Sequence, residues 1–196
     1  MPGTRSTART TAAWLCTLAA CAPGVVLAEL QSRIERTGYD VVLDADADLL
    51  RALDRASPVR RGGAVFHGVT EWDVRWTIRW WERPDGRCRI THVVSTLTAT
   101  ITLPRRIGGQ PAVQQRFDVY LAALRGHEER HLRIGQDAAA AVERRIGALP
   151  ETASCATLAS MADDAGHGAL ADYGRVERDY DAATGHGRTE GAWLER

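Results

Sequence analysis

His127-Glu128-Glu129-Arg130-His131 sits in the middle of a segment, Ala112 to Ile146, whose apolar residues recur at three- and four-residue steps. Val113, Phe117, Tyr120, Leu121, Leu124, Ile134, Ala138 and Val142 mark one face, and His127, Glu128 and His131 fall on it. The spacing predicts one long helix that packs against the body of the protein. Two histidines four residues apart project from the same side of a helix and can meet one zinc ion, while Glu128 can reach the water beside it. Zinc takes neutral imidazole nitrogen at about 2.0–2.1 Å, and a catalytic site supplies three protein ligands and leaves the fourth position to water. Glu128 is then the general base, taking the proton of that water and passing it to a leaving amine. The competing reading is a solvated helix face on which two histidines meet by chance. A buried face, however, needs a partner for two imidazoles and a carboxylate, and a metal is one. Gly126 and Gly135 flank the motif, each costing the helix about 1 kcal/mol relative to alanine. Room for a close neighbour is one reason to keep them.

Working outward, Trp72, Val74, Trp76, Ile78 and Trp80 alternate with Asp73, Arg75, Thr77 and Arg79, the pattern of a half-buried strand. Pro84-Asp85-Gly86 makes a turn, and Cys88 to Leu103 returns as a second strand closed by Pro104. Its apolar residues change phase, from even positions at Cys88 and Ile90 to odd ones at Val93, Leu97, Ile101 and Leu103, which predicts a bulge near His92. Tryptophans at strand spacing read as core before they read as a carbohydrate-binding row. Tyr39 to Leu43 reads as a strand, Ala45 to Ala56 as a helix, and Pro58 with Gly62-Gly63 as a loop. A last helix is expected from Ala169 to Ala182, before Thr184-Gly185-His186-Gly187. Strands followed by helices imply an α+β fold, a small antiparallel sheet packed on a long HExxH active-site helix, zincin-like. The divisions expected are an export signal over 1–28, one metallopeptidase-like domain over 29–191 and a polar tail over 192–196.

Of 196 residues, 44% are hydrophobic, and 25 basic residues, all arginine, balance 25 acidic ones. That suits one globular domain and gives no basic groove for nucleic acid. Arg5 and Arg9 precede a largely apolar stretch ending in Val26-Leu27-Ala28, an acceptable cleavage site, so the chain is expected to be secreted or periplasmic. Pro23 and Gly24 interrupt a stretch already short of the roughly 20 residues a membrane span needs. Leu18-Ala19-Ala20-Cys21 resembles a lipobox, which leaves a lipid anchor at Cys21 as the alternative. Loss of the signal leaves Cys88 and Cys155, read as one disulfide of an exported chain, with two buried thiols as the alternative. Closing that loop is worth roughly 4 kcal/mol at most.

The strand with Trp72 and Trp76, Cys88 after its turn, Ile101-Thr102-Leu103-Pro104, Leu124 to His131, Cys155, and Tyr180-Asp181 followed by Thr184, His186 and Gly187 together resemble the predicted secreted zinc-dependent proteases of bacteria. That is an uncharacterised domain family of the HExxH metallopeptidase superfamily, and the resemblance spans about Gly38 to Gly191. It implies a peptidase with zinc as cofactor and a polypeptide as substrate. Peptidases of the wider superfamily bind an extended peptide along an edge strand, for which Ser95 to Leu103 is the segment nominated.

The metal ligands expected are His127, His131 and, as third, His186, whose flanking glycines allow close approach. Glu177 with Asp181, one helical turn apart, is the runner-up, because in thermolysin-like peptidases a helical Glu binds zinc and an Asp four residues on supports a ligand histidine; Asp181 could equally orient an imidazole without touching the ion. Asp137 falls where the metzincin pattern has its last histidine, but Ile134 replaces the glycine that would end the helix. His167 is expected in an exposed loop, His67 and His92 as structural. Tyr173 and Tyr180 read as packing residues that could alternatively support an oxyanion, and Glu129 is expected to pair with Arg133. A reading of another class also fits: a non-catalytic exported envelope or binding protein with a structural zinc site.

Overall fold

The period-two stretch forms strand β4 (Val69–Glu82) and its return forms β5 (Cys88–Gly108), paired antiparallel. The computed structural model describes residues 26–44 and 48–195. Arg79 pairs with His92 and Trp80 with Ile90, so Thr91 is the extra residue, and the bulge transfers the buried set from Cys88 and Ile90 to Val93, Leu97 and Ile101. The phase change in the sequence is this bulge. Pro104 does not close the strand. It pairs with Tyr39 of β1 (Leu27–Leu43), which runs beside β5 in parallel register from Leu27 opposite His92 to Leu43 opposite Gly108.

Strand order is therefore β1-β5-β4, a small mixed sheet where a wholly antiparallel one was expected. Most of β1 is polar and exposed, with only Val41 and Leu43 buried, so its first two-thirds carry no alternation to read. Because β5 is central, Ser95 to Leu103 has neighbours on both sides and no edge for an added peptide, which corrects that nomination. Among the described strands, both edge strands reach the HExxH helix, β4 through Thr70 on Glu128 and β1 through Arg36 on Glu129.

The HExxH helix, α2, spans Pro111–Gly147, with proline at its first position, where a missing N–H costs nothing. The last helix, α3, spans Cys155–Thr184, much longer than Ala169 to Ala182. Ser154 caps it by accepting from the Thr157 N–H at 3.2 Å. Its first half was hidden by Gly166 and Gly168, which lower helix propensity, and His167 therefore lies on a helix, not in a loop. A Cβ at Gly166 would lie 2.4 Å from Trp76 Cζ2, and one at Gly135 would lie 2.8 Å from Trp72 Cγ. The two tryptophans of β4 thus press into α3 and α2, while Trp80 and Trp81 are exposed. Gly126 meets nothing within 4 Å. Gly166→Ala is accordingly expected to lower stability by about 1–3 kcal/mol through overpacking, and Gly126→Ala to raise it by about 0.5–1 kcal/mol. Urea unfolding of the two variants checks both signs.

Cys88, at the start of β5, is disulfide-bonded to Cys155, at the start of α3, beside a backbone bridge between Cys88 and Thr152. Helix α1 (Leu49–Ala56) and the hairpin of β2 (Val59–Arg61) and β3 (Ala64–Phe66), turning at Gly62-Gly63, complete the fold. The core has two parts. One lies between the sheet and α2–α3, around Leu97, Val142 and Leu158. The other gathers Val41, Leu53, Phe117, Tyr120 and Leu124 at the opposite end of α2. His127 to His131 occupies the stretch of α2 between them, bounded by Leu124 of one core and Leu132 of the other. No helix among the described residues is long and apolar enough to cross a membrane. The expected signal, and Cys21 with it, lies outside the described residues except for Val26 to Ala28.

Candidate metal centre

Helix α2 presents His127, Glu128 and His131 on its buried side, at 4%, 4% and 6% exposure. Helix α3 packs alongside and supplies Glu177, Tyr180 and Asp181, which share a face by their spacing of three and four. His131 Nε2 lies 3.2 Å from His127 Nε2 and 3.0 Å from Asp181 Oδ1, and His127 Nε2 lies 3.3 Å from the same oxygen. Atoms tetrahedrally arranged about 2.0–2.1 Å from a zinc ion would be about 3.3 Å apart. The three form a triangle of that size.

The opposite ring nitrogens face carboxylates as well. His131 Nδ1 is 2.5 Å from Glu177 Oε2, and His127 Nδ1 is 2.9 Å from Glu190 Oε2. Carboxylates only accept, so with a metal cation at the centre each Nδ1 donates to its carboxylate and each Nε2 turns a lone pair inward. Two imidazole lone pairs and a carboxylate oxygen at this separation repel one another unless a cation lies among them. A proton serves where no metal is bound: burial alone would lower the His131 pKa, but hydrogen bonds to Asp181 and Glu177 outweigh it and push it up to about 10. His127 is raised in the same way by Asp181 and Glu190 against burial. Asp181 is buried enough to favour its neutral form, yet the two histidines hold it well below the usual carboxylate range. The donor set, N₂O with each imidazole backed by a carboxylate, fits a divalent ion such as zinc.

Glu128 lines the cleft together with the three members of this triangle. Burial pushes its carboxyl up, and the Thr70 hydroxyl, donating to Oε2 at 2.8 Å, pulls it back. Gly68 makes room for it, since a Cβ there would lie 2.8 Å from Glu128 Oε1. The cleft, of about 630 Å³, is bounded by the β2–β3 hairpin and the start of β4 on one side and by residues 185–194 on the other, with α2 as floor.

His186 is not in the converging group. It follows Gly185 in the left-handed region, with φ of 55°, and its half-exposed side chain packs edge-on against Phe66, Nδ1 3.4 Å from Asp181 Oδ1. The pair weighed as runner-up is in place, with roles exchanged relative to the thermolysin pattern: Asp181 joins the triangle and Glu177 supports His131. Asp137 is carried off by the unbroken helix. Tyr180 stacks on His127 at 4.9 Å and donates to Glu190, while Tyr173 packs on the core. His67 lines the cleft and is held between Tyr120 Oη at 2.7 Å and Asp54 at 2.9 Å, and His92 sits at the bulge. Glu129 pairs with Arg36 of β1 at 2.9 Å, not with Arg133.

Glu190, Thr70 and Gly68 were not foreseen. None belongs to a motif; the first arrives on a 3₁₀ turn, Arg188–Glu190, Thr70 near the start of β4, and Gly68 just before that strand. Within the expected polar tail, Ala192 is buried in the second core and Leu194 packs on it.

No curated protein and no solved structure matches the chain. A family of bacterial proteins does match over residues 36–187, a span that holds the triangle, Glu128, Glu177, Cys88 and Cys155, and its description names no activity. With more than three quarters of its length in that match, the chain belongs to the family described as "Bacterial protein of unknown function (DUF922)".

Proposed function

We propose that the chain is an exported zinc-dependent peptidase in which His127, His131 and Asp181 hold the ion and Glu128 is the general base. The observation that carries this reading is the triangle of lone pairs 3.0–3.3 Å on a side, with a carboxylate behind each imidazole. Zinc, when bound, supplies a Lewis acid that brings the pKa of water to about 7. Glu177 and Glu190 fix the two rings. Glu128, poised by Thr70, accepts a proton from water and delivers it to the nitrogen of the departing amine. A structural zinc site is closed by four protein ligands, whereas a catalytic one keeps a position for water. Three protein atoms converge among the described residues, and Glu128 beside them opens to a cleft, so the geometry favours catalysis over the non-catalytic envelope protein. The Cys88–Cys155 disulfide and the signal-like N-terminus support an oxidising, extracytoplasmic location.

The test is incubation of the oxidised protein with a proteome-derived peptide mixture. Cleavage that a chelator abolishes and zinc restores supports the proposal; an intact mixture in the presence of one bound zinc per chain favours the structural-site reading. Glu177→Gln is expected to weaken zinc binding 10- to 100-fold, the usual cost of losing a partner behind a ligand histidine, as read by competition with a chromophoric chelator.

A further inference from the structure

We propose that the β4–β5 hairpin end of the sheet is a membrane-contact surface, where Trp80 and Trp81 enter the headgroup region of an anionic phospholipid bilayer. The contact is independent of the metal. Trp80 and Trp81 are 43% and 47% exposed, and Arg89, opposite Trp81 in the ladder, lies over its ring at 5.3 Å. Trp80 continues the row of Trp72 and Trp76 beyond the cover of α2 and α3, while Trp81, next along the strand, projects from the opposite face. Two indoles on opposite faces offer no flat platform on which a sugar ring could stack. An end that carries an aromatic on each face suits insertion between headgroups instead, where the amphipathic indole is favoured.

The charges at this end agree with an anionic surface. Arg79, Arg83, Arg87 and Arg89 stand against Glu82, Asp85 and the neighbouring Glu151. Glu151 takes up Arg87 at 2.6 Å and Arg83 at 3.6 Å, but among the described residues no carboxylate lies within 4 Å of Arg79 or Arg89. The two arginines beside the indoles are left for phosphate. The main chain also enters the fold at this end, since Leu27 lies opposite His92 and His92 opposite Arg79, two strand spacings or about 10 Å across. Six residues separate Leu27 from Cys21, a reach of at most about 20 Å. An acyl group on Cys21 would hold this end against the bilayer, and cleavage after Ala28 would place the new ammonium two residues along the same strand. The cleft lies elsewhere: Thr70 precedes Trp81 by eleven residues of β4, about 35 Å. A protein resting on its two exposed indoles keeps that cleft open to solution.

The test is sedimentation of the purified, disulfide-oxidised protein with vesicles of phosphatidylethanolamine and phosphatidylglycerol, and with vesicles of phosphatidylcholine alone. The wild type is expected to bind the anionic vesicles and not the neutral ones. Trp80→Ser combined with Trp81→Ser is expected to lower partitioning at least about tenfold, and Arg79→Glu combined with Arg89→Glu at least about fivefold. Trp193→Phe, an exposed indole at the other end, is expected to bind as the wild type does. All variants share whatever the N-terminus contributes, so the differences isolate the hairpin. Each substituted side chain lies on the surface, and the arginine pair gives a second reading that leaves both indoles in place. Failure of the wild type to bind, equal binding to neutral vesicles, binding that survives loss of both indoles or of both arginines, or an equal loss with Trp193→Phe overturns the proposal. Retention on insoluble peptidoglycan in place of vesicles, abolished with Trp80 and Trp81, assigns the surface to glycan and overturns it as well.

Discussion

Asp181→Ala is expected to lose zinc, its affinity falling by more than about 100-fold, beyond what removing a partner behind a ligand costs. Among the described residues, its Oδ1 is the only carboxylate oxygen placed against both Nε2 atoms, at 3.0 and 3.3 Å. Without it two neutral imidazoles remain, and two neutral ligands hold a dication poorly. His186→Ala is expected to keep its zinc within a few-fold, because that ring, half-exposed against Phe66, contributes no atom to the triangle. The two variants together decide between the ligand that the geometry favours and the one that the glycine-flanked histidine suggested. Competition titrations with a chromophoric chelator give both affinities, and zinc loss by His186→Ala with retention by Asp181→Ala would reverse the assignment.

Glu128→Gln is expected to keep zinc and to lose peptide hydrolysis by a factor of about 10²–10⁴, the range a general base contributes. The amide has the shape of the carboxylate and can still meet Thr70, but it cannot take a proton. Burial favours the neutral form of this carboxyl, which brings its basicity closer to what proton transfer at neutral pH needs. Hydrolysis undiminished in a variant of confirmed mass and zinc content would remove Glu128 from the chemistry.

The fold was legible where burial is periodic and illegible where it is not. The α2 pattern and the phase change between Ile90 and Val93 announce a long helix and a bulged strand, because each follows from one face meeting a core. The polar stretch before Tyr39 announces nothing, yet it pairs with β5 through main-chain hydrogen bonds that need no apolar side chain. Gly166 misled by its propensity; it is glycine because Trp76 occupies the space a side chain would take. In the site, the three members of the HExxH run declared themselves by spacing. Asp181 and Glu177 could be named as a pair but not ranked, since their order depends on how α3 is rotated against α2, a packing outcome that local sequence does not encode. Glu190 and Thr70 reach the site only through tertiary placement.

One divalent ion held by His127, His131 and Asp181 is the claim on which the chemistry depends. Zinc K-edge X-ray absorption on the purified, disulfide-oxidised protein loaded with one equivalent of zinc reads its ligands directly. The expected spectrum has two imidazole nitrogens and light oxygen donors at about 2.0–2.2 Å. A third imidazole, or failure of the protein to take up the ion at all, would contradict it.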